Sequence, residues 1–248
     1  EIAGKLGVEE ADINIEFNID KVSNDIEVFQ VKNVLRNTQN MVSDVFEFNI
    51  NAQTKDGKNL AISDFGNNVV KGEIPFNKNT VNNTGKLAVF KFNEDKGRFE
   101  YRKTEIDIAN SKAIFYTNSF SKYTVVENKL VLDDMRGHWA ENYVDTLASM
   151  LIVNGNNGKF EPNKQITRAE FVTLIVNAFD FEKAGENPFK DVKSTDWFFD
   201  SVSIAYANGI ATGSNGNFNP NNPISREEMA TMIVRVIDNI EPNKPVPM

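Results

Sequence analysis

Two arginines occupy the same position in two similar patterns, and their setting is suited to binding an anion. Arg168 follows Thr167 in Thr-Arg-Ala-Glu, and Arg226 follows Ser225 in Ser-Arg-Glu-Glu. Both patterns are Ser/Thr-x-x-Glu capping boxes, which begin helices. Each arginine then lies in the first helical turn, where the helix dipole disfavours a positive charge by about 0.3–1 kcal/mol. This predicts a nearby anion, either a carboxylate of the protein or a carboxylate or phosphate of a ligand that also meets free helix amides.

The glutamates at the fourth positions, Glu170 and Glu228, complete the two boxes. We expect them, together with Thr167 and Ser225, to act as structural caps. The boxes predict helices over about 168–179 and 226–237.

Three further residue types recur in pairs near these helices. A tryptophan can stack on a sugar or lie in the core, and an aspartate can bind a sugar hydroxyl or cap a loop. A glycine can admit a ligand to the backbone or form a turn. Both alternatives stay open for every pair. The pairs are Trp139 and Trp197, Asp134 and Asp191, and Gly155 and Gly213.

Residues suited to catalysis or metal binding are scarce. The chain has no cysteine and one histidine, His138, which excludes thiolate sites and multi-histidine metal sites within one chain. The second pattern has Asp196 in place of that histidine. No nucleotide-binding, zinc-protease or EF-hand spacing occurs. We therefore predict no enzymatic activity, no cofactor and no metal. The alternative is an enzyme whose catalytic domain lies outside this chain.

The amino-acid composition and net charge limit the classes of partner that this chain can bind. The 248 residues are 40% hydrophobic and carry a net charge of −8, with 27 basic and 35 acidic side chains. A foldable core is expected, whereas nucleic acid and anionic lipid surfaces are unfavourable partners. No apolar run reaches the length of about 18 residues needed to span a bilayer, so no membrane span is predicted.

The first 130 residues alternate between apolar and polar side chains, which is typical of half-buried strands. The turn signals Asp56-Gly57 and 94–97 separate such runs, and the second predicts a hairpin between 88–92 and 98–102. We predict an all-β, sandwich-like module here. The alternating runs are 13–19, 45–50, 87–92, 114–116 and 123–126.

From residue 131 the apolar spacing becomes three and four, which predicts helices. Residues 139–180 also repeat at 197–238, with 16 identities in 42 positions and no gap. Each repeat is predicted to form a helix, a loop and a second helix. It must pack on another repeat to bury its apolar face.

The repeated residues resemble the S-layer homology (SLH) repeat of bacterial surface proteins. The second repeat carries the same pattern as the first, with Phe189, Asp191, Trp197, Gly213, Phe218, Pro220 and the Ser225 box. Residues 113–125 resemble the strand pair that often closes β-rich surface-protein modules before such repeats. The first repeat carries Asp134, Gly137, Trp139, Gly155, Gly158, Phe160, Pro162 and the Thr167 box.

The resemblance implies all-α repeats within a pseudo-threefold spindle, and hence an α+β multidomain chain. It implies noncovalent attachment of an S-layer or S-layer-associated protein to a secondary cell-wall polysaccharide outside a Gram-positive bacterium. Pyruvylated sugar is expected in grooves between repeats, with Arg168 and Arg226 as the main cations. The other ligand candidates are the tryptophan, aspartate and glycine pairs named above.

This chain departs from the resemblance in the number of repeats, since two are present rather than three. The predicted modules are 1–130, 131–183 and 184–240, with 241–248 as a linker toward a third repeat. Ser225 replaces Thr, and Trp197 is followed by two phenylalanines. The alternative function is therefore structural: the repeats would associate with a third repeat or with other surface-layer subunits.

Overall fold

Ten strands and five α-helices form the part of the chain that the computed structural model describes, residues 7–9, 12–62, 69–179, 181 and 185–240. The chain divides into two compact units, Glu1–Gly158 and Lys159–Met248. The module boundaries given above stay predictions, and the linker 241–248 lies outside the described residues.

All strands lie in the first unit and pair antiparallel in two sheets. The first sheet has the order β1-β3-β10-β6-β7, with β2 beside β10 and β4 beside β3, and the second has the order β5-β9-β8. The strands are β1 (Ile13–Lys21), β2 (Gln39–Met41), β3 (Phe46–Thr54), β4 (Asn59–Ile62), β5 (Val70–Pro75), β6 (Leu87–Asn93), β7 (Arg98–Arg102), β8 (Thr104–Asp107), β9 (Lys112–Thr117) and β10 (Lys122–Asn128).

The two sheets share one hydrophobic core. Phe48 and Tyr123 from the first sheet and Phe115 from the second are buried together. The rings of Phe48 and Phe115 meet edge to face, with centroids 5.4 Å apart. The predicted hairpin is confirmed, since β6 and β7 pair from Val89↔Arg102 to Asn93↔Arg98.

Two of the five α-helices belong to the first unit and three to the second. None of them, within the described residues, is both long and apolar enough to cross a membrane. The helices are α1 (Asp25–Asn33), α2 (Glu141–Ser149), α3 (Arg168–Phe179), α4 (Phe199–Ala207) and α5 (Arg226–Ile240).

The prediction of an all-β N-terminal module is wrong, because α1 interrupts the strands. The Asn24 side chain accepts a hydrogen bond from the Ile26 amide at 3.0 Å and so caps this helix. Val31 is buried on its inner face, in a cluster with Val45 and Phe92. Alternation is a signal for strands only, so it gives no indication of a nine-residue helix between two of them.

The prediction of all-α repeats is also wrong, because loops and two antiparallel bridges join the helices. Thr167 pairs with Pro223, and Ser214 pairs with Asn217. The amides of the second pair donate to each other's carbonyls at 2.8 and 2.9 Å. Asn215, between them, has a φ of +52°, as tight two-residue turns require. Helical periodicity cannot indicate bridges that depend on single loop residues.

Helix α2, from the first repeat, lies against the first sheet within the same unit. Nδ2 of Asn128, at the end of β10, donates to the carbonyl of Ala148 at 2.7 Å. Lys86 and Asp145 form an ion pair at 3.0 Å. These contacts attach the last strand of the β-rich region to the start of the repeats.

A buried carboxylate fixes a loop to β10. Glu127 is fully buried and accepts hydrogen bonds from the Asn82 amide at 2.9 Å, the Asn82 side chain at 3.0 Å and the Asn83 amide at 2.7 Å. Burial alone would raise the pKa of Glu127, but these donors and the charge of Lys129 outweigh it, and the pKa lies below its ordinary value of 4.5.

Glu127→Gln is expected to destabilise the fold by about 1–3 kcal/mol at neutral pH, because an amide group would face three donors. A lowered pKa gives stability that is present above about pH 4.5 and is lost as pH falls through the folded-state value. Urea unfolding between neutral pH and about pH 3 should therefore show a weaker acid dependence in this variant. Asp95→Asn, at an exposed turn, is the control; equal acid dependence in both variants would refute this role.

Candidate functional site

Both capping boxes are closed in the second unit. The Glu170 amide donates to Oγ1 of Thr167 at 3.2 Å, and the Thr167 amide donates to the Glu170 carboxylate at 2.8 Å. Ser225 and Glu228 make the same two bonds at 3.2 and 2.9 Å. Helices α3 and α5 therefore begin with equivalent geometry, and Arg168 and Arg226 each occupy the first helical position.

The side chain of Arg168 is held by protein groups of the second repeat. Its Nε donates to the Phe218 carbonyl at 2.8 Å, and Nη1 forms an ion pair with Glu228 at 2.6 Å. The guanidinium also lies over the Phe218 ring, 5.0 Å from its centroid. The side chain is 11% exposed. Of the anions considered from sequence, a protein carboxylate is the one that Arg168 contacts.

The amides at the start of α3 are also occupied. The Arg168 amide donates to the Asn222 carbonyl, and the Ala169 amide donates to the Pro220 carbonyl, both at 3.0 Å. The start of this helix therefore offers neither of these amides to a ligand.

Arg226 has a different environment, although it occupies the equivalent position of the same type of capping box. Its side chain is exposed. It makes no hydrogen bond or ion pair with any residue that the structure describes. The amides of Arg226 and Glu227 likewise donate to no carbonyl of the described residues. A guanidinium and two helix amides are therefore available to an external anion at the start of α5.

Glu228 performs two tasks with its two carboxylate oxygens. Oε2 accepts from the Ser225 amide, whereas Oε1 accepts from Arg168. The Ser225 amide lowers the pKa of Glu228, partial burial opposes this, and the positive charge of Arg168 lowers it further. The pKa therefore lies below its ordinary value, and the carboxylate stays ionised at neutral pH.

Asp191 holds the loop that reaches Arg168. Its carboxylate accepts from the Phe218 amide at 2.8 Å and from the Asn219 amide at 2.7 Å. Asn219 has a φ of +58°, a left-handed value that a short polar residue tolerates. In this structure Asp191 is a loop-fixing acceptor, and both its oxygens are engaged.

Asp134 is the counterpart of Asp191, although the two are 57 rather than 58 positions apart. The amides of the preceding residues, Asp133 and Lys190, donate to equivalent loop glycines at 3.1 and 3.0 Å. One residue is therefore missing between this aspartate and the tryptophan of the first repeat. Asp134 is half-buried and has an interaction partner.

Both tryptophans are displayed on the surface. Trp139 is 82% exposed and Trp197 is 66% exposed. The indole of Trp197 meets the buried Phe198 ring edge to face at 5.3 Å, whereas Trp139 lies beside His138 at 5.6 Å. Nδ1 of His138 accepts a hydrogen bond from the Ala140 amide at 3.2 Å. Each indole therefore offers a large apolar surface to solvent.

Tyr143 is a further exposed aromatic residue, and it was not among the candidates predicted from sequence. It follows Trp139 by four positions, while Val144 and Ala148 form the buried side of α2. The available signal was an aromatic residue four positions after Trp139, but apolar periodicity alone does not distinguish an exposed aromatic ring from one in the core.

The two glycines occupy turns with φ of +65° at Gly155 and +63° at Gly213. A Cβ at Gly213 would lie 2.4 Å from the Phe189 ring and 2.5 Å from the Asn217 carbonyl oxygen. Packing and backbone conformation therefore both require glycine at position 213.

The structure brings some candidates together and leaves others apart. In the second unit, Arg168 and Asp191 both bind the loop that contains Phe218, and Glu228 binds Arg168. Among the described residues, no hydrogen bond or ring contact joins Arg226 to Trp197. Trp139, Asp134 and Gly155 belong to the first unit.

Comparison with known families matches the S-layer homology domain at residues 132–172 and 188–230. The chain is also similar to an amylopullulanase of Thermoanaerobacterium thermosulfurigenes, with 34% identity over 72% of this chain and 10% of that protein. The aligned part is 72% of the chain, which is longer than the whole segment after residue 130. This similarity therefore extends into the β-rich region.

Two relatives are named as surface-layer proteins. The surface-layer 125 kDa protein of Lysinibacillus sphaericus is 38% identical over 39% of this chain and 8% of that protein. The S-layer protein sap of Bacillus anthracis is 26% identical over 57% of this chain and 18% of that protein. The chain spans less than a fifth of the length of these three relatives. Residues 132–172 and 188–230 are therefore two tandem S-layer homology repeats, and the loop geometry of the second unit repeats with them.

Proposed function

We propose that this chain attaches its protein to an acidic polysaccharide of the bacterial cell wall, and that pyruvylated sugar is the group recognised. S-layer homology repeats indicate a cell-surface location and a role in anchoring. The observation that supports the finer proposal is the exposed Arg226, which has no protein anion among the described residues.

The start of α5 has the chemistry that a carboxylate ligand requires. A guanidinium can form two parallel hydrogen bonds to a carboxylate, and free helix amides favour negative charge. Arg168, which begins α3, satisfies the same preference with Glu228 instead. We therefore propose Arg226 as the ligand cation of this chain and Arg168 as a structural residue.

Sugar rings would be contacted through aromatic surfaces. Trp197 in the second unit, and Trp139 with Tyr143 in the first, expose their rings to solvent. An aromatic face that is already exposed gives up few protein contacts when a sugar binds, and it gains apolar contact with the carbon face of that sugar. We propose these three side chains as stacking surfaces, each within its own unit.

Because the net charge is −8, attraction to an acidic polymer must come from individual cationic sites and not from the overall charge of the chain. An acidic polymer is repelled by the average charge of the chain, so affinity requires defined cationic positions. Binding should therefore be saturable and specific for the polymer.

Cosedimentation with purified Gram-positive cell walls tests the proposal, before and after mild acid removes the pyruvyl ketals. We expect saturable binding to intact walls and at least a tenfold loss after the treatment, as for the loss of about 1.4 kcal/mol or more of charge-assisted bonding. Equal binding to both wall samples would refute recognition of the pyruvyl group, and absence of binding to intact walls would refute attachment by this chain.

We infer a structural role as the second candidate, on the basis of one exposed helix face. Helix α5 buries Met232 and Val236, yet leaves Ile233, Ile237 and Ile240 more than 40% exposed. A third repeat, in the same protein or in another subunit, would cover this face. Ile237→Asp should then abolish capture of a separately purified protein that carries S-layer homology repeats, and unchanged capture would refute this role.

A further inference from the structure

The outer edge of β1 has no strand beside it in the described part of the chain, since β1 pairs with β3 only. The register runs from Ile13↔Thr54 to Lys21↔Phe46. The Phe48 amide donates to Ser121, on the side of β3 opposite β1. In an antiparallel pair, its partner Ile19 must then direct its own amide and carbonyl away from β3. By alternation, the free edge carries the backbone groups of Ile13, Ile15, Phe17 and Ile19.

The same residues place apolar side chains in solvent. Ile15, Phe17 and Ile19 are 51%, 47% and 48% exposed. The Phe17 ring lies 6.5 Å from the Phe48 ring and 5.5 Å from the Phe120 ring, so this row continues the margin of the hydrophobic core. An edge that combines unpaired backbone groups with an exposed apolar row is a template for another strand.

We infer that a second copy of this chain pairs with this edge, β1 against β1, antiparallel across a twofold axis, with Phe17 opposite Phe17 of the partner subunit. This register places outward-facing residues opposite one another, Ile15 against Ile19 of the partner subunit. The two apolar rows then form one continuous apolar surface. The sheet becomes a continuous one across the two copies.

Electrostatics selects this register over its neighbours. With Phe17 on the axis, Glu16 faces Asn18 and Asn14 faces Asp20, so no like charges lie directly opposite. A shift that centres Glu16 places its carboxylate against itself. A shift that centres Asn18 places Glu16 opposite Asp20. Like charges in directly opposite positions disfavour strand pairing, so both alternatives are penalised by the twofold symmetry.

Sedimentation equilibrium of the whole chain over a wide concentration range tests the inference. The wild-type mass should rise toward twice 27.9 kDa. Asn18→Glu would bring a second carboxylate opposite Glu16 of the partner subunit, twice per dimer, and should weaken association about tenfold or more. Adding Glu16→Lys makes those pairs attractive and should restore association to within about threefold of wild type.

Asn59→Glu, an exposed position on β4 of the same sheet, adds the same charge away from the edge and is the control. Hydrogen exchange should show concentration-dependent protection of the β1 amides that face the free edge, including those of Ile15, Phe17 and Ile19. A wild-type chain that stays monomeric, a dimer insensitive to Asn18→Glu, or free exchange of the Phe17 amide in the dimer would each overturn the inference. None of these readouts depends on cell-wall binding.

Discussion

Arg226→Ala is expected to weaken binding to pyruvylated cell walls about 10- to 100-fold, with no change in the free energy of unfolding. The Arg226 side chain is exposed and has no hydrogen-bond or ion-pair partner among the described residues. Truncation therefore removes no side-chain hydrogen bond or ion pair within the described part of the chain. A lost charge-assisted bond to a ligand typically costs about 1.5–3 kcal/mol, which gives the expected range.

Cosedimentation isotherms on intact walls, together with urea unfolding of the same samples, measure both parts of this prediction. Lys193→Ala is the matched control, because it removes one positive charge from an exposed residue of the same unit. Its binding should stay within about threefold of wild type. Wild-type affinity in Arg226→Ala, or a loss of affinity that tracks a loss of stability, would contradict the assignment.

Arg168→Ala is expected to destabilise the second unit by about 2–3 kcal/mol. The substitution removes the bond to the Phe218 carbonyl, the contact with the Phe218 ring and the ion pair with Glu228. The Glu228 carboxylate is 42% exposed and can recover some hydration, so the cost is set below that of a fully buried pair. Arg168→Lys keeps the charge without the planar fork and should lose about half as much.

Tryptophan fluorescence can report this unit alone. In a Trp139→Phe background, Trp197 is the only tryptophan, and it lies in the second unit. Its urea midpoint should fall in Arg168→Ala and stay unchanged in Arg226→Ala. If Arg168→Ala instead lost wall binding at unaltered stability, Arg168 would be a ligand residue and the division between the two arginines would be wrong.

Local signals were sufficient for much of the fold. The alternating run 13–19 lies in β1, and the turn at 94–97 joins β6 to β7. The predicted helix 168–179 matches α3, and the helix predicted over 226–237 continues to Ile240. These elements are specified by period, turn residues and caps that lie within a few positions of one another.

The errors have a different origin. Helix α1 was missed because the alternation that predicts strands around it contains no helical signal, although Asn24 and the acidic first turn were available. The bridge between Thr167 and Pro223 joins residues that are distant in the chain, in two different repeats. Pairings of that kind depend on how two loops meet, which periodicity does not encode.

The sequence by itself determined the repeat, the family, the helix starts and the candidate residues, because each is a short pattern that occurs twice. Only the tertiary structure distinguished Arg168 from Arg226. Their boxes have the same Ser/Thr-Arg-x-Glu pattern, yet the loop held by Asp191 and the Oε1 atom of Glu228, which the capping box does not use, contact only Arg168. A contact between two repeats depends on which side of each repeat is covered, and a local pattern that the two repeats share cannot determine that.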